Sequence, residues 1–204
     1  MILYLIRHAE TVANVEGRLC GMFETDLCES GFEQMKKLAN YADKLDIDAV
    51  YSSPLKRAYK TAVGLNWYIN KPLNVVYNLH EIKFGSIEGM LWNDIKADSE
   101  WNDNVPDRFV AFGGEPYDVV YNRIVTAVNG IIDENPADST VAIVSHGAVL
   151  RNFICYAMGL SWDKFREVER ILNASVTKIN YDKNTQLFTI CYKNDLSYLS
   201  DKAD

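Results

Sequence analysis

Short apolar runs alternate along the chain with longer stretches whose apolar residues recur every three or four positions. The runs Ile2–Ile6, Asp48–Tyr51, Leu73–Tyr77 and Thr140–Val144 read as strands. Val141-Ala142-Ile143-Val144 is apolar without alternation, which suits a strand covered on both faces. Ser175–Tyr181 and Gln186–Tyr192 read as a terminal hairpin turning at Asp182-Lys183-Asn184. The helical stretches announce their starts. Ser30-Gly31-Phe32-Glu33 has the form of a capping box, continued by Phe32, Met35, Leu38, Ala39, Ala42 and Leu45 as one stripe. Ser53-Pro54 sets a capping hydroxyl before a proline expected at the first helical position. Tyr117–Ile132 carries Val120, Ile124, Val128 and Ile131, and Gly147–Met158 forms an apolar helix closed by Gly159.

This alternation predicts an α/β fold: a single domain over residues 1–204, in three layers (α/β/α) around a mostly parallel central sheet, with a terminal hairpin. Between residues 84 and 116 the periodicity gives way to Gly, Asn, Asp, Pro and the large aromatics Phe84, Trp92, Trp101 and Phe109, an irregular lid-like insertion. Residues 195–204 read as a loose polar tail.

Charge narrows the partners. With 21 Lys+Arg against 28 Asp+Glu the chain carries a formal −7, which argues against a nucleic-acid partner but leaves room for a local basic pocket. No run approaches the roughly 18 apolar residues that span a bilayer, and Ile2–Ile6 passes straight into Arg7-His8 without the features of a signal peptide. Cys20, Cys28, Cys155 and Cys191 show no C-x-x-C spacing, so reduced thiols in a cytoplasmic protein are expected.

Two of the three histidines, His8 and His146, stand in the same setting, just past an apolar strand with a small residue following. In open α/β sheets ligands bind beyond the carboxyl ends of strands. Such a topology would deliver two imidazoles there, with guanidiniums from Arg7 and Arg57. Arginine forks match phosphate oxygens, and a neutral imidazole can attack phosphorus while a second, protonated one binds the equatorial oxygens. The leaving alkoxide then needs a carboxyl group, for which Glu10, Glu81 and Glu88 are the candidates. A zinc hydrolase lacks ligands here, since there is no H-E-x-x-H and no cysteine pair. Neither a G-x-S-x-G elbow nor a nucleotide P-loop is present.

Arg7-His8-Ala9-Glu10-Thr11 resembles the R-H-G-E-T signature of the histidine phosphatase superfamily, in its phosphoglycerate-mutase-like branch. The likeness continues through Asn14, Gly17-Arg18, Gly21, Leu27-Cys28-Glu29-Ser30-Gly31, Ser52-Ser53-Pro54-Leu55-Lys56-Arg57-Ala58 with Thr61-Ala62, and Glu81 with Phe84-Gly85 and Glu88-Gly89. It ends with Ser145-His146-Gly147, Arg151 and Asn173-Ala174-Ser175.

The resemblance implies that His8 is the nucleophile that becomes phosphohistidine. Arg7, Arg57 and His146 would form the phosphate pocket, and Glu81 would protonate the leaving oxygen. Asn14, Cys20, Gly21 and Gly147 would contact the phosphoryl group or substrate. It implies no metal and no cofactor. The partner is a small-molecule phosphomonoester, whose identity these motifs do not specify, as they do not specify oligomeric state. Glu10 and Glu88 are expected to be structural, Lys56 to point to solvent, Arg151 to be a surface or ion-pair residue and His80 to be a bystander.

Two positions depart from the pattern: Ala9 replaces a glycine, and Gly113-Gly114-Glu115-Pro116 replaces G-G-E-S. Phosphatase is preferred to cofactor-dependent mutase, with a catalytically weak binding member as a further alternative. Residues 84–116 hold only Lys96 and Arg108 as cations against Glu88, Asp94, Asp98, Glu100, Asp103, Asp107 and Glu115, a balance expected to repel a bisphosphate. His146 is followed by Gly147-Ala148 where the mutases read H-G-N. The aromatics of the insertion either wall the substrate or only pack.

Overall fold

The computed structural model describes residues 1–102, 105 and 107–200. Four strands, β1 (Ile2–Arg7), β2 (Ala49–Ser52), β3 (Leu73–Val75) and β4 (Thr140–Ser145), run parallel. The hairpin β5 (Val176–Asp182) and β6 (Leu187–Asp195) adds two antiparallel strands beside β1. All belong to one sheet, ordered β3-β2-β4-β1-β5-β6. Around it lie α1 (Val12–Val15), α2 (Glu29–Ala42), α3 (Lys56–Ile69), α4 (Trp92–Ala97), α5 (Tyr117–Glu134) and α6 (Gly147–Ala157).

Strand pleating sorts the core into two halves, because successive side chains leave opposite faces of the sheet. Tyr4, Ile6, Val50, Ala142 and Val144 pack with Leu38 and Ala42 of α2 and Ala58, Ala62 and Leu65 of α3. Leu3, Leu5, Tyr51, Val141 and Ile143 pack on the other face with Ile124 and Val128 of α5 and Leu150 and Phe153 of α6. Both faces are covered, as the unalternating strands predict. Leu5 is fully buried, so Leu5→Ala is expected to cost about 2–5 kcal/mol.

Register sets the chemistry. Arg7 pairs with Ser145, and Ser52 with Val144, so β2, β4 and β1 end side by side with β4 in the middle. The residues that follow them are therefore gathered at one edge.

Several expected details differ. The Ser30 hydroxyl does not cap α2, whose N-cap is Cys28; it donates to the Glu10 carboxylate instead. Phe32 is exposed rather than part of the buried stripe. Helix α3 begins at Lys56, two residues past Pro54, because the Ser53 hydroxyl is engaged by His146 and the Leu55 N–H. Strand β3 stops at Val75, and Tyr77–Leu79 forms a 3-10 turn. The polar tail is docked rather than loose as far as residue 200: Tyr198 stacks on Tyr41 at 4.8 Å and donates to the Ala174 carbonyl, and Lys37 donates to Leu199 O at 2.8 Å. Asp103 and tail residues 201–204 lie outside the described residues.

Candidate active site

The strand ends bring His8, His146, Arg7 and Arg57 together. The His8 and His146 rings stand 5.2 Å apart between centroids, tilted by 58°, and both are buried. His8 is anchored from several sides: its N–H donates to Ser145 O, while its carbonyl accepts from Ala174 N and Asn173 Nδ2. The Nδ1 of His8 lies 2.8 Å from the Ala9 carbonyl, which can only accept, so Nδ1 carries the proton. Nε2 is then the lone-pair nitrogen, on a residue that lines a cleft at this edge. Burial, then the positive charge of Arg57 and Arg7, holds the imidazole's pKa well below its ordinary value, which keeps it neutral and nucleophilic.

His146 is wired the other way round. Its Nε2 lies 2.7 Å from Ser53 Oγ, and that oxygen already accepts the Leu55 N–H. The Ser53 hydroxyl has no other acceptor among the described residues, so its proton goes to Nε2, leaving Nδ1 as the protonated nitrogen. Nδ1 is buried with no partner. Burial, then Arg57 and His8, pushes the pKa of His146 well down. A neutral His146 can thus already donate a hydrogen bond; it need not be protonated first, as the sequence reading supposed.

The two arginines are held by carbonyls. Arg57, fully buried, donates Nη2 to Gly21 O at 2.6 Å and Nη1 to Phe23 O at 3.0 Å. Arg7 donates Nη1 to Ile171 O at 2.7 Å. The Nε atoms of both are buried without a partner, and among the described residues neither side chain has an ion pair. Desolvation opposes both charges, and Glu81 acts favourably on each. Buried cations without a carboxylate partner call for an anion.

Glu81 sits at the start of α6, where its carboxylate accepts from Ala148 N and Val149 N, both at 3.3 Å, and from Ile82 N at 3.0 Å. Asn14 Oδ1 accepts from the backbone and side chain of Thr11 and from Asn173 Nδ2, leaving its own amide NH2 toward the cleft it lines. Gly21 has φ +53°, and a Cβ there would stand 2.4 Å from Glu88 Oε1. The glycine therefore lets this loop lie against Glu88 and Phe84 while its carbonyl holds Arg57. A Cβ on Gly147 would come within 3.3 Å of Arg7 Nε. Cys20 lines the cleft, with its thiol pKa raised by burial. Among the described residues no three His, Cys, Asp or Glu side chains are grouped to hold a metal ion.

The residues expected to be structural are so placed. Glu10 accepts from Ser30, and Glu88 accepts the Phe84 N–H at 2.8 Å. His80 is tied by Nδ1 to Glu81 O. Ala9 is absent from the residues with left-handed backbone, so the Cβ it carries in place of a glycine costs no backbone strain. Pro116 is the N-cap of an intact α5.

The cleft, about 440 Å³, reverses two expectations. Arg151 is not a surface residue but lines it, as do Arg18, Arg108, Arg166 and Arg170. The acidic count of the insertion therefore misjudges the field inside: Asp94, Asp98 and Glu100 face solvent, and Glu115 is paired with Arg123 at 2.7 Å. Glu81 is the one carboxylate among the described lining residues. Phe84, Trp92 and Phe109 wall the cleft, whereas Trp101 packs behind them, 5.7 Å from Phe109. Sequence reasoning also missed Arg123, which donates to the carbonyls of Asn78, His80 and Glu81 and so clamps the loop bearing Glu81. Its signal was the Glu115 of the noted G-G-E-P stretch. In the sequence Ser53 reads as a helix cap and as part of the Ser52–Ala58 motif, with nothing to announce its contact with His146.

A family model described as the histidine phosphatase superfamily (branch 1) matches residues 3–193. A metal-independent phosphoserine phosphatase of Arabidopsis thaliana is 32% identical, over 97% of this chain and 83% of its own length. Phosphoserine phosphatase 1 of Hydrogenobacter thermophilus is 34% identical, over 80% of this chain and 79% of its own. Among solved structures, Bacillus stearothermophilus YhfR superposes with a TM-score of 0.87 at 29% identity, covering 98% of this chain and 99% of that one.

Proposed function

The chain belongs to the histidine phosphatase superfamily, branch 1, and is a phosphomonoesterase of small phosphorylated metabolites, and we propose that His8 carries the phosphoryl group in its reaction. The observation that supports this reading most is the His8 ring itself: neutral, with Nδ1–H tied to Ala9 O and Nε2 left free, between two carbonyl-anchored arginines.

In the first step Nε2 attacks phosphorus as the bond to the leaving oxygen breaks. The ring becomes positively charged, and the Ala9 carbonyl accepts from its Nδ1–H throughout. Arg7, Arg57, His146 Nδ1–H and Asn14 take the phosphoryl oxygens, and Glu81 gives a proton to the leaving oxygen. In the second step Glu81 receives a proton from water as that water attacks phosphorus. The N–P bond breaks, returning neutral His8 and releasing inorganic phosphate. Every proton is carried by a side chain of the protein. Gly147 leaves room for Arg7, Gly21 leaves room for Glu88 and Phe84 while its carbonyl holds Arg57, and Cys20 lines the cleft.

We also propose a cytoplasmic setting, supported by four unpaired cysteines. Among the described residues no helix is long and apolar enough to cross a membrane. The test is a rapid quench into alkali with a ³²P-labelled ester, where phosphohistidine survives: label on His8 supports the reading, and label elsewhere, or none at any time, overturns it. Glu81→Gln should slow alkyl phosphates about 10²–10⁴-fold while sparing p-nitrophenyl phosphate, whose leaving group needs little protonation. Equal losses on both would remove Glu81 from the acid role.

A further inference from the structure

His8 and Arg7 lean on a stretch that belongs to no helix or strand, residues 170–175, whose backbone groups must find partners elsewhere. One set of these groups faces the strand-end cluster. Ile171 O accepts from Arg7 Nη1 at 2.7 Å, and Ala174 N and Asn173 Nδ2 donate to His8 O at 3.1 and 3.2 Å. Asn173 Nδ2 also reaches Asn14 Oδ1 at 3.1 Å. The loop thus sets where the backbone of His8 and the guanidinium of Arg7 sit.

The other set is held from the end of the chain. Lys193 and Asn194 of β6 together oppose the single Thr177 of β5, since Val176 pairs with Asp195 and Lys178 with Tyr192. This is a β-bulge, a device that re-aims a side chain. Asn194 is left-handed there, at φ +53°, a conformation that asparagine tolerates. Its amide turns onto the loop: Oδ1 accepts the Leu172 N–H at 3.0 Å, and Nδ2 donates to Arg170 O at 2.8 Å. Those two residues flank Ile171, whose carbonyl holds Arg7.

Tyr198 pins the far end of the loop. Its hydroxyl donates to Ala174 O, while its ring stacks on Tyr41 of α2 at 4.8 Å. Burial raises the pKa of the phenol, so the proton stays in place to be donated. Ala174 needs holding, because at φ +56° it occupies the left-handed region, where a Cβ costs energy. Leu199 packs against the buried group of Ala9, Leu27 and Ala174, in which Ala9 directly follows His8.

We propose that Asn194 and Tyr198 are positioning residues for the reaction, Asn194 setting Arg7 by way of Ile171 and Tyr198 setting His8 by way of Ala174. Neither lines the cleft, so each acts through the 170–175 loop. This rests on the phosphatase reading above, in which His8 takes the phosphoryl group.

Two full-length variants separate the pins. Tyr198→Phe removes only the hydroxyl and keeps the ring on Tyr41. Asn194→Gly removes the amide and leaves a residue to which φ +53° is natural. With p-nitrophenyl phosphate, Tyr198→Phe should slow both His8 labelling in the rapid quench and kcat about fivefold, the worth of one hydrogen bond. Its inhibition by inorganic phosphate should stay nearly level. Asn194→Gly should show the reverse weighting, with KM and the inhibition constant of inorganic phosphate rising about fivefold as Arg7 loses its seat. Tyr41→Phe keeps the stack, loses a hydroxyl directed at Asp195, and should match the wild type. Wild-type rates and inhibition constants in both variants, even with lowered urea midpoints, would make the two residues mere stabilisers of the fold and overturn the proposal. An equal loss in Tyr41→Phe overturns it too, by tying the effect to docking of the tail at large. Absence of label on His8 in the wild type would instead strike the phosphatase mechanism.

Discussion

The histidines that end β1 and β4 occupy matching places in the chain and complementary ones in chemistry. Each follows an apolar strand, precedes a small residue and is buried. Yet His8 hands its Nδ1 proton to a carbonyl and frees Nε2, whereas His146 receives a hydroxyl proton at Nε2 and keeps Nδ1–H to give. In the proposed reaction one acts as nucleophile and the other as donor, although burial and Arg57 push both toward the neutral form. A hydrogen-bond partner outside the strand decides the role, and Ser53 comes from the neighbouring strand end.

The sharpest way to break this comparison is to remove each ring in turn. His8→Ala is expected to lose at least about 10³-fold in kcat on p-nitrophenyl phosphate, because no other group forms the N–P bond. His146→Ala should lose about 10²–10³-fold, the cost of one preorganised donor, and should still accumulate label on His8. Steady-state rates and quench labelling on the two variants check this. Labelling that survives His8→Ala, or fails only in His146→Ala, would exchange the two roles.

How much of this could be read beforehand follows from where the determinants lie. His8 and Arg7 share one short strand exit, and Ser145-His146-Gly147 another, so the strand-end cluster was legible in contiguous blocks. The sheet was legible too, since β1 and β4 are apolar on both faces. The tautomers were not, because Ser53 and Ala9 show their hydrogen bonds only once the strands are paired. The arginine-lined cleft was hidden for another reason. Arg151, Arg166 and Arg170 are ordinary residues singly, and counting charge along residues 84–116 cannot tell which side chains face inward. Asp94 and Glu100 weigh in that count but point to solvent. Arg123 reaches the Glu81 loop from α5, some 40 residues along the chain (|i−j| of 42), and no local pattern announces it.

Acid titration of stability sharpens the shared half of the comparison. Both rings stay neutral in the fold, while in the unfolded chain they take up protons near pH 6.5. Below that pH the unfolded state binds more protons, so stability falls as pH falls, by up to about 1.4 kcal/mol per pH unit for each histidine. The window runs from pH 6.5 down to the depressed folded values. His80, shifted down by burial in the same sense, adds to it. Urea midpoints between pH 7 and 5 should therefore decline steeply in the wild type and less so in each His→Ala variant. Slopes unchanged in both variants would mean that the rings are not held neutral.

The smallest expected effect tests the origin of the difference. Ser53→Ala removes the hydroxyl that fixes Nε2 of His146 as the acceptor, and leaves His8 and its Ala9 bond in place. One hydrogen bond is worth about 1 kcal/mol, or about fivefold. With its tautomer released, His146 presents Nδ1–H for only part of the time, so kcat should fall by about that factor. KM should stay nearly level, because the donor matters most as charge gathers on the phosphoryl oxygens. Binding of vanadate, whose trigonal geometry imitates that charge, should weaken in proportion to kcat. A fall in KM and kcat together would point instead to a shifted β2 exit. No fall at all would mean that His146 keeps its tautomer without Ser53, and the contrast between the two strand ends would need another cause.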